Sequence, residues 1–141
     1  GKQVPDLACM DSANVWHSTK DCNKDFKIIL FWSPGCGHCS VEVPKYDKFY
    51  KEKKDIYSFE IFAINTESDL EAWKKFIKEK NLQWINLNGL VANYDWREFF
   101  DIEKTPIMFV LDKNNTIVAK NVPADNIEQI IKALKEGRFA F

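Results

Sequence analysis

The apolar positions of the chain fall in blocks whose spacing alternates between strand and helix periods. Residues 27–32 form an apolar run closed by Ser33-Pro34-Gly35, which reads as a buried strand. Behind it, Cys39, Val43, Tyr46 and Tyr50 recur at helical spacing. Pro44 lies inside that helix and is expected to kink it, and the charged run 51–55 is expected to end it. Residues 56–64 are apolar enough for a strand buried on both faces, which implies a partly parallel sheet. Ser68-Asp69-Leu70-Glu71 reads as a capping box for a helix whose apolar face is Leu70, Trp73, Phe76 and Ile77. Residues 84–87 suggest a short edge strand, and Asp95 with Glu98 a capped short helix through Phe99 and Phe100. The strands 107–111 and 116–120 flank Asp112-Lys113-Asn114-Asn115, a hairpin turn. Asp125 with Glu128 opens a last helix with a stripe of Ile127, Ile130, Ile131 and Leu134, and Gly137 is placed to end it. At the other end, residues 4–10 and 15–17 predict a small hairpin across 11–14. The whole predicts one α/β domain over residues 1–141, with no internal repeat or linker.

Composition narrows the function classes. The 141 residues are 45% hydrophobic, enough for a sizeable core. Twenty basic residues balance twenty-one acidic ones, for a net charge of −1, so no nucleic-acid or membrane-surface partner is expected. No apolar run approaches the ~20 residues of a membrane span. The chain starts at Gly1 without a methionine and reads as a mature or trimmed piece, with an upstream signal or domain possible.

The chemistry concentrates in Cys36-Gly37-His38-Cys39, placed between a strand and a helix. That order sets Cys36 at a helix N-terminus, where the dipole and free N–H groups favour a thiolate. The C-x-x-C spacing brings both sulfurs onto one turn, and a protonated His38 adds positive charge beside them. Zinc normally takes four ligands, and Cys9, Cys22, His17 and His38 supply no second C-x-x-C. A c-type haem requires histidine directly after the second cysteine, where Ser40 stands. A redox pair is therefore the preferred reading, with Cys36 as nucleophile and Cys39 as resolving thiol, and no cofactor. Cys9 and Cys22 are either free thiols or a second, structural disulfide, and the free state is preferred. Asn114-Asn115-Thr116 matches a glycosylation sequon but is better explained as a turn. His17 reads as a surface strand residue, and Trp84, Trp96, Phe99 and Phe100 as core.

Phe31-Trp32 followed by Cys-Gly-His-Cys resembles the active site of the thioredoxin superfamily, with the middle dipeptide of protein disulfide isomerases. The opening Gly1-Lys2-Gln3-Val4-Pro5-Asp6-Leu7 and the triplet Glu42-Val43-Pro44 are similar to the extracytoplasmic bacterial TlpA/ResA branch. The resemblance implies a thioredoxin-like fold: a central mixed sheet flanked by helices, an N-terminal β-hairpin, and an αβ insert, residues 69–87, before a cis-proline at Thr105-Pro106. Without it, a trans turn proline would be the expectation there. It also implies thiol-disulfide exchange with protein substrates, an unidentified redox partner protein, and a bacterial periplasm or cell-envelope location. Thr105, Pro106 and Gly37 would meet the substrate, and Glu42 would accept the proton of Cys39. Two positions depart from the pattern. Gly35 replaces a tryptophan that often precedes the first cysteine, and Leu30 replaces the buried aspartate of thioredoxin proper. Two alternatives stay open. A peroxiredoxin-like peroxidase would place Ser33 three residues before its cysteine, but lacks its proline at Ile29. The other is a non-catalytic binding module of the same fold.

Overall fold

The computed structural model describes residues 1–137. Seven strands form one mixed sheet: β1 (Ala8–Met10), β2 (Trp16–Ser18), β3 (Phe26–Trp32), β4 (Phe59–Asn65), β5 (Ile85–Ala92), β6 (Ile107–Leu111) and β7 (Ile117–Lys120). Their order across the sheet is β2-β1-β5-β4-β3-β6-β7. Three α-helices connect or follow them: α1 (Cys39–Tyr57), α2 (Leu70–Lys80) and α3 (Ile127–Lys135). This is a thioredoxin-like α/β fold. Strand β3 is central, parallel to β4 and antiparallel to β6, and every one of its residues is buried.

Alternation along β3 divides the core into two layers. Phe26, Ile28, Leu30 and Trp32 face the layer that also holds the buried residues of all three helices, among them Val43, Tyr50, Trp73 and Ile131. The three α-helices therefore pack on one face of the sheet. Ile29 and Phe31 face the other layer. There Val4, Leu7 and Cys9 of the N-terminal segment, with Trp96 and Phe100, serve as the cover. Both parallel crossovers, β3-α1-β4 and β4-α2-β5, step the same way across the sheet, which puts their helices on the same side.

Several boundaries differ from expectation. Helix α1 runs through Pro44 and through the charged run, ending at Tyr57 with Ser58 in the left-handed region, so the next strand starts at Phe59 and not at Ile56. The lysines and acids of that run are good helix formers on a solvated face, so nothing in them stops the helix. Helix α2 is capped by Asp69, whose carboxylate accepts the Ala72 N–H, and not by Ser68. The strand expected at the edge is β5, an interior strand of eight residues between β1 and β4. Its later half, with exposed Leu90 and Val91, lacks a clear apolar alternation. Asp125 does not cap α3; it lies in a short 3-10 turn, Ala124–Asn126, and pairs with Lys45. Both hairpins form, Asn115 taking positive φ in the second, and Gly137 follows α3 with φ +71°. Trp84, Trp96 and Phe100 are core, while Phe99 is half-buried. Cys9 and Cys22 are both free.

Buried Lys27 stands at the start of β3, the opposite end of the strand from Cys36 and Cys39. Its Nζ donates to Asn115 Oδ1 at 2.6 Å, and Asn115 donates on to Asp6 Oδ1 at 2.7 Å. The network ties the N-terminal segment and the β6–β7 turn to the central strand.

Candidate active site

At the C-terminal end of β3 the chain makes two successive turns before it becomes helical. The Cys36 N–H donates to the Ser33 carbonyl at 3.3 Å, and the Cys39 N–H donates to the Cys36 carbonyl at 3.1 Å. The first helical residue is therefore Cys39, and Cys36 lies in the turn ahead of α1 rather than in its first turn. The electrostatic consequence survives the shift. The Cys39 N–H also reaches the Cys36 sulfur, at 3.3 Å, so a donor at the helix start is shared between that sulfur and the Cys36 carbonyl.

The two thiols sit in different environments. Cys36 is half-buried and Cys39 wholly buried. Partial burial works to raise the Cys36 pKa, but hydrogen bonds from the Cys39 thiol, the Thr105 hydroxyl and the backbone N–H groups of Cys39 and His38 outweigh it, and the net direction is down. Cys39 is pushed up to about 12, first by burial, then by its hydrogen bond to Cys36 and by that neighbour's charge, with the Ser33 backbone working the other way. Both members of the pair are thiols in this structure.

Thr105 and Pro106 arrive from the loop before β6, and their peptide bond is cis. The Cys36 thiol donates to the Thr105 carbonyl at 3.1 Å, across 69 positions of sequence. This brings the Thr105-Pro106 segment against the sulfur pair. Gly37 is exposed, and a Cβ there would meet nothing within 4 Å. His38 caps α1 through its backbone, while its exposed imidazole makes no capping hydrogen bond. At Gly35 an added Cβ would lie 3.3 Å from a Glu67 carboxylate oxygen, so the β4–α2 loop borders the site where a tryptophan was missing.

Glu42 is on the first turn of α1, but its carboxylate is engaged elsewhere. Oε2 accepts the Ala124 N–H at 3.0 Å, and Oε1 lies 3.8 Å from Lys45 Nζ. Tyr46, one turn on, donates its hydroxyl to the Val122 carbonyl. Together they fasten α1 to the turn that leads into α3. Nothing in the sequence signals this anchor, because its partners are 82 and 76 residues away. Among the described residues no group of three or more metal-binding side chains exists, and no helix is long and apolar enough to cross a membrane.

No curated protein matches the chain. Solved structures do. A domain of a possible thiol-disulfide isomerase from Cytophaga hutchinsonii is 29% identical, with a TM-score of 0.86 over 98% of this chain and 94% of that one. A thiol:disulfide interchange protein from a Bacteroides species is 26% identical, with a TM-score of 0.77 over 97% and 93%. The thioredoxin domain of a thiol-disulfide oxidoreductase from Bacteroides vulgatus is also 26% identical, with a TM-score of 0.81 over 95% and 96%. The Redoxin family model matches residues 1–135. With a thioredoxin-like sheet that presents Cys36 and Cys39 at the end of its central strand, the chain belongs to the Redoxin family of the thioredoxin superfamily.

Proposed function

We propose that the protein is a thiol-disulfide oxidoreductase that exchanges disulfides with protein substrates through Cys36 and Cys39. The observation that carries this is the inequality of the two thiols: one half-buried with its pKa lowered, the other buried and pushed up to about 12, three residues apart. The Cys36 thiolate attacks a substrate disulfide. The substrate S–S bond breaks, one substrate sulfur leaves, and a Cys36–substrate disulfide forms. Cys39 then loses its proton and attacks the Cys36 sulfur. The Cys36–Cys39 bond forms and the second substrate sulfur leaves, so the substrate gains two electrons and the pair is oxidised. A dithiol or disulfide partner protein resets the pair, and its potential sets whether the physiological direction is reduction, oxidation or isomerisation. No cofactor takes part, since the sulfurs carry the electrons.

In this reading Gly37 leaves the approach to Cys36 open, and Thr105 with Pro106 offers a strand-like edge to the substrate main chain. A protonated His38 favours the Cys36 thiolate. The domain spans residues 1–141 and works in the periplasm or envelope of a bacterium, as its resemblance to the TlpA/ResA branch implies. The test is reduction of a disulfide-bonded protein such as insulin by the purified dithiol form. Stoichiometric reduction with formation of a Cys36–Cys39 bond is expected. Peroxide turnover without protein disulfide exchange would return the peroxidase reading, and neither activity would return the binding module.

The resemblance makes Glu42 the acceptor of the Cys39 proton, a role its carboxylate takes only by leaving the Ala124 N–H and Lys45 that hold it. Glu42→Gln retains an oxygen for the Ala124 N–H, so the anchor between α1 and α3 is kept while proton acceptance is lost. Resolution of a mixed disulfide is expected to slow on the order of 10²-fold between pH 6 and 8 with the thermal midpoint unchanged. An unaltered rate in rapid-mixing measurements would leave Glu42 with the anchoring role alone.

A further inference from the structure

Ser33 is wholly buried, and its hydroxyl has no hydrogen-bond partner among the described residues. A buried hydroxyl without a partner is disfavoured, and native chains keep few of them without a reason. This one stands at the end of β3, where its own backbone hydrogen-bonds the Cys39 sulfur. The Ser33 carbonyl also accepts the Cys36 N–H at 3.3 Å, so this residue is tied to both members of the pair. The groups around Cys39 that could otherwise steady a negative charge are few. On its own side of the loop are the Cys36 sulfur, itself negative when ionised, and the exposed His38. Glu42 follows on α1, with its carboxylate drawn off to Ala124 and Lys45. The Thr105 hydroxyl approaches from the loop before β6. The sheet beneath presents Leu30, Trp32 and Met108, all of them buried, and Leu30 carries no charge.

We propose that Ser33 is a further catalytic residue of the exchange assigned above: its hydroxyl turns to donate to the Cys39 sulfur when Cys39 ionises to attack the mixed disulfide. A neutral thiol is a weak acceptor and a thiolate a strong one, so the hydroxyl is idle in the resting dithiol and engaged only as charge develops. Ser33 neither gains nor loses a proton. The Cys39 proton leaves through the acceptor, the Cys36–Cys39 bond forms, and the electron pair of the broken bond goes to the departing substrate sulfur, which takes up a proton. The arrangement places its stabilisation in the reacting state and not in the ground state.

The inference rests on the thiol-disulfide reading, and two measurements separate the fate of each. In a Cys36→Ala background, alkylation of Cys39 near pH 9, located by mass spectrometry, reports its thiolate without any exchange. Adding Ser33→Ala is expected to slow that alkylation about tenfold, and adding Ser33→Thr to leave it within about twofold of the parent. In the chain with both cysteines, Ser33→Ala is expected to move the pH–rate profile of mixed-disulfide resolution up by about one unit. Its urea midpoint should equal or exceed that of the unaltered chain, since an unpartnered buried hydroxyl is lost. An alkylation rate unaffected by Ser33→Ala, or one lowered as much by Ser33→Thr, overturns the role of Ser33. So does a fall in urea midpoint with an unshifted pH profile, which is the mark of a purely structural residue. Absence of exchange in the unaltered chain overturns the thiol-disulfide reading instead, and with it the resolving step assigned to Ser33.

Discussion

Alkylation of the reduced protein near neutral pH modifies Cys36 first, and by a margin of orders of magnitude over Cys39. The expectation follows from which sulfur is ionised. Of the four thiols, Cys36 is the one whose pKa is lowered: burial raises it somewhat, and the donors from Cys39, Thr105 and His38 more than reverse that. Cys39 stands at about 12, so at pH 7 its thiolate fraction is about 10⁻⁵. Cys9 is also pushed up to about 12 by burial. Cys22 is raised as well, chiefly by burial, although Lys27 and Lys24 pull it back in part. The thiolate is the reactive species, so the ordering of pKa values is the ordering of rates wherever access is equal, and access also favours Cys36 over Cys39. As pH falls, Cys36 should keep its reactivity to a lower pH than an ordinary thiol, because a depressed pKa means the anion persists further down. Mass-spectrometric mapping after brief iodoacetamide treatment from pH 5 to 9 reads this directly. Earlier labelling of Cys39 would reverse the roles of the two cysteines, and labelling of Cys22 ahead of Cys36 would remove the basis for either.

The chemistry of this pair was legible in the sequence because it is local. Four consecutive residues carry the motif, and the strand before and the helix after are fixed by apolar spacing that needs no distant partner. The error of three residues in where α1 begins came from the turns at Ser33–Cys36 and Cys36–Cys39. A C-x-x-C spacing fits a helical turn and two tight turns equally well. What could not be read was whatever depends on contacts between distant parts of the chain. Glu42 looked like a free carboxylate beside Cys39, yet it is held by the N–H of Ala124, a residue of a turn with no side chain to announce the contact. The same limit applies to β5. Its interior position is set by pairing with both β1 and β4. Exposed Leu90 and Val91 interrupt the alternation where the register shifts between Cys9 and Met10. Strand β3, in contrast, announced that it is buried, because its neighbours cover it wherever they come from.

That burial makes Phe31 the position where a single truncation should do most damage to the fold. Its side chain is fully buried in the layer opposite the helices, on the strand that pairs with both β4 and β6. Three rings surround it: Trp96 with centroids 4.9 Å apart, Phe100 at 5.3 Å, and Phe109 edge-on at 6.0 Å. The first two belong to a segment that covers the sheet without a full helix of its own, so this cluster is much of what holds it down. Phe31→Ala removes the ring from all three contacts. Truncating a buried phenylalanine costs about 3–5 kcal/mol, and aromatic pairs add roughly 0.5–1.5 kcal/mol each beyond the area they bury. The upper part of the first range is the expectation here, because rigid strands on both sides prevent the cavity from collapsing. Against a total stability of about 5–15 kcal/mol, that is enough to leave a substantial unfolded fraction at 37 °C if the parent lies near the lower end. Urea unfolding should show a lower midpoint with an unchanged slope. Phe31→Leu, which keeps most of the apolar volume, should lose less than half as much. A loss below about 1 kcal/mol for the alanine variant would mean that the 96–100 segment relaxes into the space, and that the ring cluster is not what fixes this cover to the sheet.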